Sequence, residues 1–206
     1  MKKKIGIIDY NTGNTGTIYK TLKKLNCDIK IIEEPNDLDK CSKIILPGVG
    51  SFRTAMKSLI RTKLNKKIAT FYKSGKDIFA ICLGMQILLN KSYEDEQFRG
   101  LNILPGNVIK IKTKKAPLPH IGWNKVICSN KQKFEKFLNN KFFYFCHSYI
   151  CQIHKKNIKK SFFEYEKTKY ISTLNNNNLY ATQFHPELSG DNGLRLLEWF
   201  IEKNEK

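Results

Sequence analysis

Along roughly the first 90 residues, short apolar runs alternate with stretches whose apolar positions recur every three or four residues. Residues 5–9 form an apolar run stopped by polar residues and glycine, which suits a buried strand. Within 17–25, Ile18, Leu22 and Leu25 share one helical face. Residues 28–32 and 43–46 read as strands again, the second ending abruptly at Pro47-Gly48-Val49-Gly50. From about 51 to 74 the spacing is helical, with Gly75 placed to close the helix in a left-handed conformation. Residues 77–82 are mostly apolar and run into Leu83-Gly84, after which 85–90 reads as a helix. This alternation predicts right-handed βαβ crossovers, hence an α/β protein with a mostly parallel central sheet flanked by helices.

The second half changes texture. Residues 108–112, 125–128, 141–146, 160–165 and 170–184 look like shorter, partly alternating strands, which predicts additional antiparallel pairing. The asparagine run 175–178 suits a hairpin turn, because Asn tolerates left-handed backbone geometry. Residues 194–201 supply a terminal amphipathic helix. No internal repeat or linker divides the chain, so residues 1–206 are expected to form one domain.

Composition changes this picture little. With 41% hydrophobic and 27% charged residues, neither disorder nor membrane insertion is expected. No apolar run approaches the roughly 20 residues of a membrane span. The basic start Met1-Lys2-Lys3-Lys4 leads into an apolar stretch that Asp9 interrupts too early for a signal peptide, so the chain reads as cytoplasmic. Six scattered cysteines show neither a disulfide framework nor zinc spacing, and no metal or cofactor is expected. The formal net charge of +19 suits nucleic-acid binding, steering of an anionic substrate or partner, or lysines spread over solvated faces. The even spread of lysine along the chain, without a nucleic-acid motif, favours solvated faces.

Chemistry enters at Ala80-Ile81-Cys82-Leu83-Gly84-Met85-Gln86. An apolar strand delivers a cysteine into a turn and then a helix, the layout of a nucleophile elbow. A helix N-terminus beside the sulfur would favour thiolate. A small buried core cysteine fits the local pattern equally well. Gln183-Phe184-His185-Pro186-Glu187 shifts the balance, because it lies at the end of the last apolar strand, where α/β proteins gather functional groups. Glu187 can orient one nitrogen of His185 and leave the other to carry a proton. A cysteine in an elbow with His-Pro-Glu at a later strand end is the sequence form of a Cys-His-acid triad.

These two motifs together resemble the class I (triad) glutamine amidotransferases. Further segments narrow the likeness to the glutaminase subunits of imidazole glycerol phosphate synthases in histidine biosynthesis. They are Asp9-Tyr10 with Gly13-Asn14, Leu46-Pro47-Gly48-Val49-Gly50, Pro119-His120-Ile121-Gly122-Trp123-Asn124 and Tyr144-Phe145-Cys146-His147-Ser148-Tyr149. The resemblance implies a flavodoxin-like amidotransferase fold and hydrolysis of L-glutamine to glutamate and ammonia. Cys82 would be the nucleophile, His185 the proton carrier and Glu187 its orienting acid. Gly50 and Leu83 would offer backbone N–H groups to the oxyanion, and Gln86, Glu94, Ser148 and Tyr149 would hold the glutamine. His120, Trp123 and Asn124 would face a (β/α)8-barrel cyclase, forming a heterodimer through which ammonia is channelled. The products there would be imidazole glycerol phosphate and an aminoimidazole carboxamide ribotide.

Three positions depart from the family's usual pattern: Ala80 and Asn11 stand where glycine is usual, and Leu188 where a basic residue commonly follows His-Pro-Glu. Leu188 bears on the partner, because similar paralogues supply ammonia to a sugar-modifying amidotransferase in surface-polysaccharide pathways. Two other classes also compete: a peptidase-like Cys-His protein on a related scaffold, and a nonenzymatic nucleic-acid binder suggested by charge alone.

Overall fold

The computed structural model describes residues 4–11, 14–128 and 133–203; residues 1–3 and Gly13 of the first loop lie outside them. In chain order the first half contains β1 (Lys4–Ile8), α1 (Thr15–Lys24), β2 (Asp28–Ile32), β3 (Lys43–Leu46), α2 (Phe52–Arg61), α3 (Leu64–Lys73), β4 (Asp77–Ile81) and α4 (Leu83–Ile87). Then follow β5 (Lys91–Ser92), β6 (Phe98–Arg99), β7 (Gly106–Lys110), β8 (His120–Lys125), β9 (Ile127–Cys128) and α5 (Lys133–Lys136). The chain ends with β10 (Phe142–His147), β11 (Tyr149–Ile153), β12 (Lys159–Tyr165), β13 (Thr168–Asn176), β14 (Leu179–Thr182) and α6 (Gly190–Glu202).

The short apolar runs pair as the sequence predicts. The main sheet runs β2-β1-β3-β4-β14-β13-β12-β9, parallel from β2 to β14 and antiparallel beyond. Every residue of β3 and β4 is buried, as befits strands covered on both faces. The pleat sends Ile44, Leu46, Ile78 and Ala80 to one core with Phe52, Met56, Leu59 and Ile68 of α2 and α3. It sends Ile5, Ile7, Ile45, Phe79 and Ile81 to the other, with Ile18 and Leu22 of α1 and Leu196, Leu197 and Phe200 of α6. A four-stranded sheet (β11-β7-β5-β6) and a two-stranded ribbon (β10-β8) complete the second half.

The structure differs from the sequence expectation at several elements. The single helix expected over 51–74 is two, broken at Lys63, whose φ of 62° is left-handed. The helix expected over 85–90 begins earlier, directly behind Cys82. Strands β8 and β11 were not expected. Asn11 adopts a φ of 60°, so the swap for glycine is accommodated by the left-handed geometry that asparagine tolerates.

One buried cation ties the sheet to the last helix. Lys43 is fully buried, and its Nζ donates to the carbonyls of Phe200 (2.5 Å), Ile201 (2.9 Å) and Lys203 (2.5 Å). An ammonium there satisfies carbonyls that the end of α6 leaves unpaired and complements the helix dipole. Lys203 in turn pairs with the buried Asp77 at 2.7 Å. Lys43→Met keeps the chain's bulk but removes all three donors. It is expected to cost about 2–4 kcal/mol in urea denaturation, with Cys82 reactivity unchanged.

Candidate active site

Parallel pairing of β4 with β14 places Thr182 beside Ile81, so both chains leave the sheet at the same edge. Cys82 leaves β4 with φ 49° and ψ −105°, a conformation costly for a non-glycine residue and characteristic of a nucleophile elbow. Its surroundings over-determine that turn. The Cys82 N–H donates to the Thr182 carbonyl at 2.7 Å, and its carbonyl accepts from the Gln86 N–H at 3.1 Å. A Cβ at Gly84 would collide with the Leu46 carbonyl, and one at Gly48 with the backbone of Gly84 and Ile81. Loop 47–50 therefore lies directly on the elbow, and the Tyr10 hydroxyl donates to the Pro47 carbonyl to hold it there. Ala80 sits in register between Leu46 and Ala181 and is fully buried.

The ring of His185 lies close enough to the Cys82 sulfur for the sulfur to act on its titration. Its Nδ1 lies 2.8 Å from Glu187 Oε1. A carboxylate oxygen only accepts, so the proton resides on Nδ1 and the other nitrogen serves the sulfur. Burial alone would push the imidazole down. The Cys82 charge and hydrogen bond outweigh it, then those of Glu187, and the ring is pushed up to about 11. The site thus favours the protonated imidazole beside the sulfur. His185 is 2% exposed and the Glu187 side chain 1%, so this pair is screened little by solvent.

Other expected residues fall at different distances from this centre. Gln86 is buried on α4, and its Nε2 donates to the Tyr149 carbonyl at 2.9 Å. Ser148 occupies the bend between β10 and β11, and the charge of Glu94 reaches Tyr149 closely enough to raise its phenol, after the larger effect of burial. Glu94 also accepts from the Phe52 N–H at 2.8 Å, tying the first turn of α2 to the loop after β5. Gly50 is exposed with φ 107°, a backbone geometry that favours glycine. Leu83 opens α4, directly behind the sulfur. Trp123 is 55% exposed, whereas Asn124 is half-buried and donates to the Glu164 carbonyl at 2.8 Å. His120 points inward instead, 5% exposed and stacked on Phe163 at 5.4 Å.

Asn14 was not singled out for a role by sequence reasoning. Its Nδ2 donates to Glu187 Oε1 at 2.6 Å, a second hydrogen bond on the oxygen that orients His185. A polar residue just before a helix reads as a cap, and Asn14 does accept the first backbone bonds of α1. Nothing local announces its reach across 173 positions to the acid.

A second buried histidine lies next to the site. His147 is lowered to about 3, mainly by burial and then by the neighbouring His120, with His185 a smaller contribution. The unfolded chain takes up a proton below about 6.5 that the folded chain refuses until about 3, so stability falls as pH drops through that window. The slope is expected to reach up to about 1.4 kcal/mol per pH unit, and His147→Gln should flatten it in denaturation midpoints measured across acidic pH.

A family model described as glutamine amidotransferase class-I matches residues 6–204. Imidazole glycerol phosphate synthase subunit HisH of Methanocaldococcus jannaschii is 44% identical over 202 residues, covering 96% of this chain and 98% of that protein. The subunit of the same name from Caldanaerobacter subterraneus subsp. tengcongensis is 38% identical, covering 96% and 97%. Among solved structures, PurLQS from Thermotoga maritima superposes with a TM-score of 0.75 over 98% of each chain at 19% identity, a likeness of fold.

Proposed function

The chain belongs to the class I glutamine amidotransferase family, and from that premise we propose that it hydrolyses L-glutamine with Cys82, His185 and Glu187 and delivers the ammonia to a synthase partner. It is an enzyme, the glutaminase subunit of an imidazole glycerol phosphate synthase. The observation that carries the catalytic assignment is the His185–Glu187 pair, 2.8 Å apart at the exit of β14, beside the strained turn that presents Cys82 at the exit of β4.

Chemistry follows from that arrangement. The thiolate attacks the side-chain amide carbon, and the charge moves to the amide oxygen, where the N–H groups of Gly50 and Leu83 receive it. Collapse expels ammonia, which takes its proton from His185 and leaves a γ-glutamyl thioester on Cys82. His185, now neutral, removes a proton from water as it attacks the thioester, and glutamate departs. Glu187 keeps the imidazole in the correct tautomer through both steps. Gln86, Glu94, Ser148 and Tyr149 form the wall that holds the substrate.

For the partner we propose a (β/α)8-barrel cyclase that receives the ammonia internally and forms imidazole glycerol phosphate with an aminoimidazole carboxamide ribotide. Free ammonia would be protonated near neutral pH and lose its nucleophilicity, which gives channelling its chemical purpose. The outer face of the β8–β10 ribbon suits such docking. It exposes Ile121 (60%), Trp123 (55%) and Phe142 (50%), an apolar surface with an aromatic anchor. The ribbon adjoins the catalytic edge, because the Tyr144 carbonyl accepts from the His185 N–H at 2.9 Å. Leu188 is also exposed in the turn beside it, extending the apolar face where the family commonly has a cation. The test is ammonium release from L-glutamine by this chain alone and with its barrel cyclase. Stimulation by the cyclase is expected; release unaffected by it would overturn the partner assignment.

A further inference from the structure

Beside the Cys82 sulfur lies a buried side-chain amide. Gln183 follows β14 and is fully buried. Its Nε2 lies 3.6 Å from Cys82 Sγ, within hydrogen-bond reach for sulfur, and its Oε1 accepts from Gln86 Nε2 at 3.4 Å. The Gln86 amide in turn donates to the Tyr149 carbonyl at 2.9 Å. The Gln183 backbone is fixed as well, its N–H donating to the Ser172 carbonyl at 2.8 Å.

The direction of this chain of hydrogen bonds is set at its far end. A backbone carbonyl can only accept, so Gln86 must present its NH2 group to Tyr149. That same NH2 group faces Gln183, which must answer with its oxygen. The Gln183 NH2 is thereby left facing Cys82. We infer that Gln183 is a catalytic residue: its side-chain amide donates to the Cys82 sulfur and stabilises the thiolate, with its orientation dictated by Gln86 and the Tyr149 carbonyl. This assignment rests on the glutaminase reading of the site.

Among the described residues, few other groups near the sulfur could do this. The His185 imidazolium faces it from the β14 exit, with Glu187 behind the ring. From β10, the Cys146 carbonyl lies 3.9 Å away and offers only lone pairs, which oppose a thiolate. The nearby Cys151 on β11 is a fully buried thiol held protonated, chiefly by burial and then by the Cys82 charge. The Gln183 amide gives the sulfur a donor in addition to His185, and a bond to a charged acceptor is among the stronger ones a neutral amide can make.

The test is the pH dependence of Cys82 alkylation by iodoacetamide in the full chain, read by peptide mass spectrometry so that the exposed Cys146 does not interfere. Gln183→Met conserves volume and cannot donate; Gln183→Glu conserves shape and replaces the donor with an acceptor oxygen. In Gln183→Met, Cys82 alkylation near neutral pH is expected to fall about tenfold, with the wild-type rate recovered in strong base. Gln183→Glu should fall at least as far, and it decides the matter if the Met variant does not fold. A wild-type alkylation profile in the folded variant would overturn the assignment. Alkylation requires no glutamine, so this outcome is separate from the glutaminase reading, which fails if the unmodified complex releases no ammonium from L-glutamine.

Discussion

Cys82→Ala is expected to reduce glutamine hydrolysis on the order of a millionfold, because residues of a triad act as one unit and the nucleophile has no substitute. The cysteines nearest to it cannot take over. Cys151 is fully buried and held as a neutral thiol, and Cys146 projects from the exposed side of β10, where only its carbonyl faces the site. The fold should survive, since alanine fits the space and the turn is held by backbone bonds to Thr182 and Gln86. A second consequence is less obvious. The main forces raising the His185 imidazole come from the Cys82 sulfur, while burial acts against them. In the alanine variant the ring should therefore titrate at lower pH than in the wild type, which NMR titration of the imidazole can follow. Loss of activity without that displacement would mean that the sulfur and the imidazole are not coupled.

Glu187→Gln carries the second-largest effect, a loss of about a thousandfold to ten-thousandfold in kcat with little change in KM. The carboxylate orients Nδ1 of His185 and supplies the negative charge that makes an imidazolium tolerable in a buried site. A glutamine oxygen could still accept from Nδ1 and from Asn14 Nδ2. Its NH2 group would then occupy the place of Oε2, a buried atom that has no partner among the described residues. Turning the amide to relieve that strands a donor against Nδ1 and imposes the wrong tautomer. Either orientation costs catalysis, and neither disturbs the substrate wall proposed at Gln86, Glu94 and Tyr149. Steady-state kinetics of the complex separates the two parameters.

The sequence made the centre of this site legible because its chemistry is written in backbone requirements. Strand β4 is apolar throughout, Cys82 follows it at once, and Gly84 must be small because the Leu46 carbonyl lies against it. The parallel half of the sheet was equally readable, since strands buried on both faces have an unbroken apolar signature. What escaped was held by long-range contacts. Lys63 breaks the expected helix with a left-handed turn that no glycine or proline announces. Lys43 in a strand reads as solvent-facing, yet its charge is spent on carbonyls at the end of α6, 157 to 160 positions away. Strand β8 contains Gly122 and follows a proline, both weak strand signals, and its pairing with β10 supplies the order that propensity does not. His120 matched a motif expected at the surface, but the pleat sends it inward while Ile121 and Trp123 face out. Gln183 and Asn14 were visible as motif letters, and only the fold shows which atoms they meet.

Attack of the Cys82 sulfur on the glutamine amide can be seen by trapping the covalent product. Acid quenching of the complex during turnover of L-glutamine, followed by peptide mass spectrometry, should reveal a γ-glutamyl adduct confined to the peptide bearing Cys82. Sustained turnover with no adduct on that peptide, or with the adduct on another residue, would rule out Cys82 as the nucleophile.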